Sequence, residues 1–539
     1  MSIDRLYIGG NMKALYRILS IIIILSFAVG SLVACGKNTN GAENVAATDE
    51  TVGETATQKE TNEYGEPSFT GVVPVNSLDF EGEDITILVR QYFHNAREWY
   101  KESPEDELDE AIAMRNEAVQ DMLNITMQIE WIPSNGSDYY EYVDRFHSIV
   151  STDIDSGLHY YDVSANFGGP SVSSAIRDYT LNMMDKETFP YFDFSLPCWN
   201  RAFVENTCFN DRLHYVSGDI NLSMFDAAMV IWHNKTLYDK NREDTDPENL
   251  QELALAGMWT YEELYRWTST FYVDSNGEPG RQTDDTYALM ASNSQPCPRD
   301  GIPYAWDIRM VVENSDGTHS YNVIGNEKLE KALVMYRNLI EEGKGTVDSW
   351  DARLFAAGKS MFYMQRMFAN AEDNMAIREM EDRYCLLPVP KYDAYQEQYG
   401  TTAQDYFTIM FILDHTNSET PTKGEAVSAF LQYACEESYT GVRGYYFNRI
   451  IKPKFFGTDD SEGTVTNSIA LFDIIIANIK FDYGYIFSQQ LNSIQTLWRH
   501  TVVDKSKPTM ESAFMAKYDA YQKAIKETDE WLGLITPDD

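Results

Sequence analysis

Eight histidines (His94, His147, His159, His214, His233, His319, His415 and His500) are scattered through the chain without metal-ligand spacing. The sequence contains no GxSxG, P-loop, HExxH or GxGxxG motif. A glycoside hydrolase needs only two carboxylates at a suitable separation, and spacing along a chain leaves that alternative open. The residue types that remain are those of recognition. An aromatic ring offers a flat apolar platform, and a neighbouring amide, carboxylate or guanidinium offers hydrogen bonds. The chain holds 26 Phe, 10 Trp and 35 Tyr, so most of its rings must be packing residues. Rings in loops at the carboxyl ends of strands stand apart, because open α/β sheets bind their ligands there. Trp99 and Tyr100 follow the first strand, and Phe167 ends the third. Tyr304 and Trp306 sit in a Gly/Pro-bounded loop, and Tyr363 and Gln365 follow Gly358. Tyr406, Phe407, Asp219 and Asn221 are further candidates, the last two also reading as ordinary turn formers. Arg366 could bind a carboxylate or pair with one of the chain's many surface acids.

The elements that must position these residues are legible from pattern. Asp84–Arg90 is a β-branched run of strand length. Leu108, Ala111, Ile112, Ala118, Val119 and Met122 then recur at helical spacing. Further strands read at Ile125–Ile132, Tyr161–Phe167, Asp226–Asn234, Ser360–Gln365, Tyr384–Pro390 and Thr408–Asp414. Helices read at about 139–156, Tyr261–Tyr272, Gly325–Gly343, Lys423–Glu437 and Thr509–Leu532. Strands alternating with helices predict an α/β chain with largely parallel sheets.

Composition sets the partners. Lys and Arg number 43 against 84 Asp and Glu, a field that repels nucleic acid and anionic lipid. The N-terminus is different. Lys13 and Arg17 precede an uncharged run of 17 residues, Ile18–Ala34, shorter than the roughly 20 a membrane-spanning helix needs. The run ends in Leu32-Val33-Ala34-Cys35, which resembles the lipobox of bacterial lipoproteins. That likeness implies a signal peptide over 1–34, a lipid on Cys35 and an anchor on the outer face of a Gram-positive membrane. Met12 is a more natural start than Met1. Cleavage would remove Arg5, Lys13, Arg17 and Asp4, leaving 40 bases against 83 acids. Residues 36–76 are poor in large apolar side chains and read as a tether. Five further cysteines include Cys198 and Cys208, close enough to form one disulfide or to remain buried thiols.

A succession of weak signatures carries a resemblance over most of the chain, from about residue 83 onward. They are Asp162–Gly169 (DVSANFGG), Asn210–Ser217 (NDRLHYVS), Met229–Asn234 with Lys235 and Leu237, Met258–Glu263 (MWTYEE) and Phe355–Tyr363 (FAAGKSMFY). Their order resembles the carbohydrate-binding family of extracellular solute-binding proteins of ABC importers, which includes maltose-binding protein. Met361 and Trp232 depart from the family pattern. Asp274–Asp285 resembles the family's calcium loop, but Pro279 stands where that loop turns on glycine, so no metal site is expected. The resemblance implies a class II periplasmic-binding-protein-like fold, two α/β lobes hinged about a ligand cleft. The expected division is 35–82 as lipidated cysteine and tether, 83–222 with 405–445 as N-terminal lobe, and 223–404 with 446–539 as C-terminal lobe. Crossings are expected near Ser217–Asp226 and Tyr399–Phe407. It further implies an oligosaccharide ligand, an ABC permease as partner, a monomer, no cofactor and no covalent chemistry. A peptide or other polar solute, or an adhesin role, are the alternatives.

Overall fold

The computed structural model describes residues 68–536, except 101–102, 136–137, 279, 281, 343–344, 369–370, 415–420 and 453–461. The expected signal peptide, Cys35 and the tether up to residue 67 lie outside the described residues.

In chain order the main strands are β1 (Glu83–Gln91), β2 (Ile125–Pro133), β3 (Val163–Phe167), β4 (Met229–Asn234), β5 (Tyr272–Val273), β6 (Thr286–Met290), β7 (Thr346–Val347), β8 (Ser360–Arg366), β9 (Tyr384–Pro388) and β10 (Thr408–Ile412). They form two sheets. The first has the order β10-β3-β1-β2, with β1 parallel to both neighbours and β10 antiparallel to β3. Six consecutive residues of β1, Ile85–Arg90, are buried, because helices and loops cover both faces of the strand. Such two-sided burial is why it reads as an unbroken apolar run. Helix α1 (Glu107–Leu123) returns the chain from β1 to β2. The Asp106 carboxylate starts it by accepting from the Leu108 and Asp109 amides, both at 3.0 Å. Asn124 ends it in the left-handed region, at φ 49°. Leu108, Ile112, Val119 and Leu123 form its buried stripe, each contributing about 1.5–3 kcal/mol.

The second sheet runs β9-β4-β8-β6-β5, with β7 also on β6. It is mixed rather than largely parallel. Only β8–β6 and β6–β7 are parallel, and β4 opposes both β8 and β9. The expected strand at Asp226 begins three residues late because the preceding backbone is committed elsewhere. The Asp226 carbonyl accepts from Phe368 N at 3.0 Å and that of Ala228 from Met367 N at 2.7 Å.

Two crossings run side by side between the sheets. Val216 bridges Met410 on the first sheet's side and Ala228 bridges Ala403 on the second's. Gln404 N donates to Ala227 O at 2.9 Å between them. The long helix α2 (Pro421–Glu437) packs on α1, whereas helix α3 (Glu462–Ala477) packs on β9, so the chain passes over again between them. The tail is two helices, Met510–Met515 and Tyr518–Trp531, not the single one expected. It touches both halves. Arg212 donates to Trp531 O at 2.6 Å, and Asp529 accepts from the ring and amide of His319 at 2.8 Å. One hydrophobic cluster runs from Leu88 and Tyr142 through the crossings into the second sheet, and another fills the other face of the first.

Candidate ligand-binding cleft

Because β1 and β3 are parallel, their last side chains emerge together. Arg90 lies over three rings, with its guanidinium carbon 4.1 Å from the centroid of Phe167, 4.5 Å from Tyr92 and 5.1 Å from Tyr142. Ser134 holds it from the end of β2, accepting from Nε at 3.2 Å and Nη2 at 3.0 Å. Burial pulls the Arg90 pKa below its usual value. The second sheet delivers a matching group. β8 ends in Arg366, whose guanidinium sits 4.6 Å from the ring centre of Tyr406, in the returning crossing. Tyr92, which packs against Arg90, precedes the short helix whose Asn95 donates to the Tyr406 carbonyl, and that segment links the two strand ends.

Two amides complete it. Asn95 donates to Tyr406 O at 3.1 Å and to Thr408 Oγ1 at 2.9 Å, while its Oδ1 has no partner among the described residues. Asn166 Oδ1 accepts from Tyr142 Oη at 2.5 Å and Phe167 N at 3.2 Å, while its Nδ2 has none. Both residues are fully buried, and a buried amide group left unpaired costs about 1–3 kcal/mol. Unmet polar atoms beside aromatic faces are what a hydroxylated ligand can satisfy.

Beside this cluster a narrow cavity is lined by Gly168, Gly169, Asp405, Phe407, Tyr485 and Arg499. A side chain at position 169 would place its Cβ 2.7 Å from the Tyr139 hydroxyl and push that hydroxyl aside. Arg499 joins Asp300 at 2.5 Å and Asp405 at 3.0 Å. Tyr485 Oη donates to Asp300 at 3.1 Å and accepts from Asp405 N at 2.9 Å. Burial alone would lower the Arg499 pKa, but the two carboxylates outweigh it and hold the cation firmly charged. This pair is satisfied within the protein and clamps the crossing to helix Pro296–Ala305.

The sequence-predicted residues divide. Phe167 lies under the Arg90 guanidinium and Tyr406 under that of Arg366, both rings buried. Phe407 lines the narrow cavity and packs edge-on against Phe203 and Phe481. Tyr363 and Gln365 lie one step behind Arg366. Gln365 Nε2 donates to Tyr363 Oη at 2.8 Å, Tyr363 donates to Trp350 O at 2.6 Å, and Cys297 donates to Gln365 Oε1 at 2.7 Å. Tyr304 donates to Gln495 at 2.7 Å behind the Arg499 clamp.

The others are placed elsewhere. Trp99 is wholly buried in the core of the first sheet, since the chain turns inward after helix Phe93–Arg97 and Asn116 anchors its carbonyl at 2.6 Å. Tyr100 emerges on the outer side, in a groove of about 690 Å³ that it lines with Met127 and Trp131. Trp306 is wholly buried in the second sheet's core, its Nε1 donating to Pro390 O at 3.0 Å. Asp219 is buried against Arg443 at 3.0 Å, and Asn221 donates to Ser217 Oγ and Thr408 O, both fastening the crossings. Cys198 and Cys208 are free thiols, not a disulfide, because Cys198 turns to Gln432 on α2. Two carboxylates of the 274–285 loop are spent on its own backbone amides. Asp274 caps Asn276 and Gly277, and Asp285 caps Ser275 and Gln282. Sequence reasoning missed Arg90, Tyr92, Asn95, Tyr142 and Asn166. The strand-end rule that selected Phe167 applies equally to Arg90, the last buried residue of β1.

Neither a protein-family model nor a curated protein matches the sequence. Solved structures do match in shape. The sugar-binding protein MalE from Xanthomonas citri matches with a TM-score of 0.50 and 12% identity, over 84% of this chain and 97% of that one. It shows the fold. The chain has the two-lobed α/β architecture of the periplasmic-binding-protein-like class, with the cleft between the two sheets. The GacH receptor of Streptomyces glaucescens matches with a TM-score of 0.48 and 12% identity, over 83% of this chain and 99% of that one. The ABC substrate-binding protein Lmo0181 from Listeria monocytogenes, in complex with cycloalternan, matches with a TM-score of 0.47 and 11% identity, over 84% and 99%.

Proposed function

We propose that this chain is a lipid-anchored extracellular receptor that captures an oligosaccharide between its two lobes and delivers it to an ABC importer. The observation that carries the reading is the cleft cluster, in which aromatic faces, guanidiniums and two incompletely bonded amides from both sheets converge at strand ends. Carbohydrates present apolar C–H faces and a rim of hydroxyls, and that combination of groups suits both. The fold shared with a sugar-binding MalE supports the same direction. The proposed lobes are 83–222 with 405–445 and 223–404 with 446–539, hinged at the paired crossings. Ligand would favour the closed arrangement by touching both lobes at once. Nothing in the cluster calls for covalent chemistry, and the chain is read as a binding protein. The lipobox supports anchoring through Cys35.

Thermal unfolding of the full-length protein against panels of oligosaccharides, peptides and polyamines tests the reading. A ligand at about 100 times its Kd stabilises the native state by roughly 2.7 kcal/mol, a readable shift. A rise with one group of saccharides is the expected result, and a rise with peptides alone would overturn it. For the anchor, Cys35→Ser should move the protein from the membrane fraction to the medium, and unchanged fractionation would refute lipidation.

A further inference from the structure

The outer groove of about 690 Å³ that Tyr100 lines has a backbone edge as one wall. β2 is the last strand of its sheet, and among the described residues no segment pairs with it except β1. Along such a strand, alternate residues turn their amide and carbonyl away from the neighbouring strand. Two side chains mark which residues these are. The Met127 amide donates to Gln120 Oε1 at 3.0 Å, and the Pro133 carbonyl accepts from Arg145 at 2.5 Å. The backbones of Met127 and Pro133 therefore face outward, as do those of Ile129 and Trp131 between them. Gln120, on α1, stands in for a partner strand at one end, and Pro133, with no N–H to offer, closes the other. Among the described residues the outward amides and carbonyls of Ile129 and Trp131 have no such partner. The half-buried side chains of Met127, Ile129 and Trp131 form an apolar floor beside this edge, facing Ala113 and Asn116 of α1. The rim is acidic. Glu117 and Asp121 are exposed one helical turn apart, and the only base in α1 or β2, Arg115, is buried and donates to the Glu98 carbonyl at 2.8 Å. α1 also ends in this groove, at Asn124, where its last carbonyls add negative potential.

We propose that this groove docks an extended, basic segment of another polypeptide. The segment adds to β2 as a further strand, exchanging backbone hydrogen bonds with Ile129 and Trp131. Its alternate apolar side chains rest on the floor, and its lysines or arginines meet Glu117 and Asp121. Charge selects this occupant over the two others at hand. A second copy of the chain brings the same excess of acids, 84 against 43 bases. The segment 36–67 of this chain holds seven acids against Lys37 and Lys59. Both would carry like charge to the acidic rim. The groove shares no lining residue with the narrow cavity beside the cleft, so docking here is a property separate from ligand capture.

Titration of the full-length protein with three short peptides tests this: one alternating lysine and valine, its glutamate–valine counterpart, and the lysine peptide N-methylated along its backbone. Calorimetry reads affinity, and hydrogen–deuterium exchange of single amides reads location. The lysine peptide should bind, more weakly with added salt, and slow exchange at the Ile129 and Trp131 amides about tenfold or more. The glutamate peptide should not bind. N-methylation, which removes the donors of the added strand and keeps its charge, should weaken binding about tenfold. Glu117→Lys combined with Asp121→Lys changes two exposed side chains, and it should weaken the lysine peptide about tenfold. Equal binding of the methylated peptide, or binding that leaves Ile129 and Trp131 exchange unchanged, would show attraction to an acidic surface alone and overturn the proposal. Slow exchange at both amides in the free protein would show that the 36–67 segment or a second copy covers the edge, which would equally overturn it. So would a lysine peptide that does not bind.

Discussion

The two sheets reach the cleft with the same device and support it differently. Each ends a strand in an arginine laid on an aromatic ring, Arg90 on Phe167 and Arg366 on Tyr406. Behind Arg366 the polar groups form a chain, Cys297 to Gln365 to Tyr363 to Trp350 O, in which each donor finds an acceptor. Around Arg90, Asn95 and Asn166 each keep one amide atom without a partner among the described residues. The second sheet thus offers a finished frame, and the first offers polar groups still to be satisfied. A binding site needs both, because a frame without spare groups has nothing to recognise with, and spare groups without a frame are not held in place.

The largest expected effects test whether the two halves are equally dependent on their buried tryptophans. Trp306→Ala and Trp99→Ala should each destabilise the fold by about 3–5 kcal/mol, read as a shift in denaturant midpoint. If Trp99→Ala kept the wild-type midpoint and lost ligand instead, Trp99 would belong to the cleft and the contrast drawn above would be wrong.

Next comes a pH effect at the short helix Tyr483–Ile486. Asp482 is buried at the start of helix Tyr483–Ile486, where burial raises its pKa from 3.8 to about 6 despite Arg309 nearby. An acid raised in the folded state favours folding when protonated. Its contribution is therefore complete below pH 3.8 and is lost as pH rises through about 6, a swing on the order of 3 kcal/mol. Asp482→Asn keeps a side-chain oxygen for the Tyr485 amide and should flatten the fall in Tm between pH 4 and pH 6 by that order. An unchanged pH profile would show that Asp482 is solvated.

A smaller loss is expected from Tyr363→Phe. It strands Trp350 O and Gln365 Nε2, so about 1–3 kcal/mol should be lost, with ligand affinity reduced as the support of Arg366 loosens. A neutral outcome would mean that the frame behind Arg366 is no more finished than the surroundings of Arg90. The smallest effect belongs to Tyr100→Ala. Tyr100 lies 43% exposed in the outer groove, so stability should change by less than about 0.5 kcal/mol and ligand affinity not at all. A measurable loss of affinity would bring the outer groove into the binding site.

Much of the scaffold was legible in the residues. Asp84–Arg90 reads as a strand because six successive residues are buried on two faces, and β1 extends it by one residue at each end. Leu108 to Met122 reads as a helix because its stripe is regular, and the structure adds Asp106 and Asn124 as its caps. Phe355–Tyr363 reads as helix, glycine, strand, and Gly358 indeed takes φ +72° between Ala352–Ala356 and β8. Where pattern failed, the cause was non-local. The mixed direction of the second sheet follows from the way β4 leaves the crossing, which no window of sequence contains. The tail divides at Lys517, between two helices packed separately.

The cleft was half legible. The strand-end rule places Phe167 under the Arg90 guanidinium, because the position of a residue at a strand terminus is a local property. It also selects Trp99 and Trp306, because an aromatic side chain carries the same apolar area whether it faces a ligand or a core. The sequence by itself determined the alternation of strands and helices, the acidic field and the identities of the groups able to bind. Only the tertiary structure decided that Arg90 lies on Phe167 and Arg366 on Tyr406, that Trp99 turns inward while Tyr100 turns out, and that Cys198 faces Gln432 rather than Cys208. The physical reason is that periodicity encodes which face of an element is buried, whereas the partner met across that face depends on how distant segments pack.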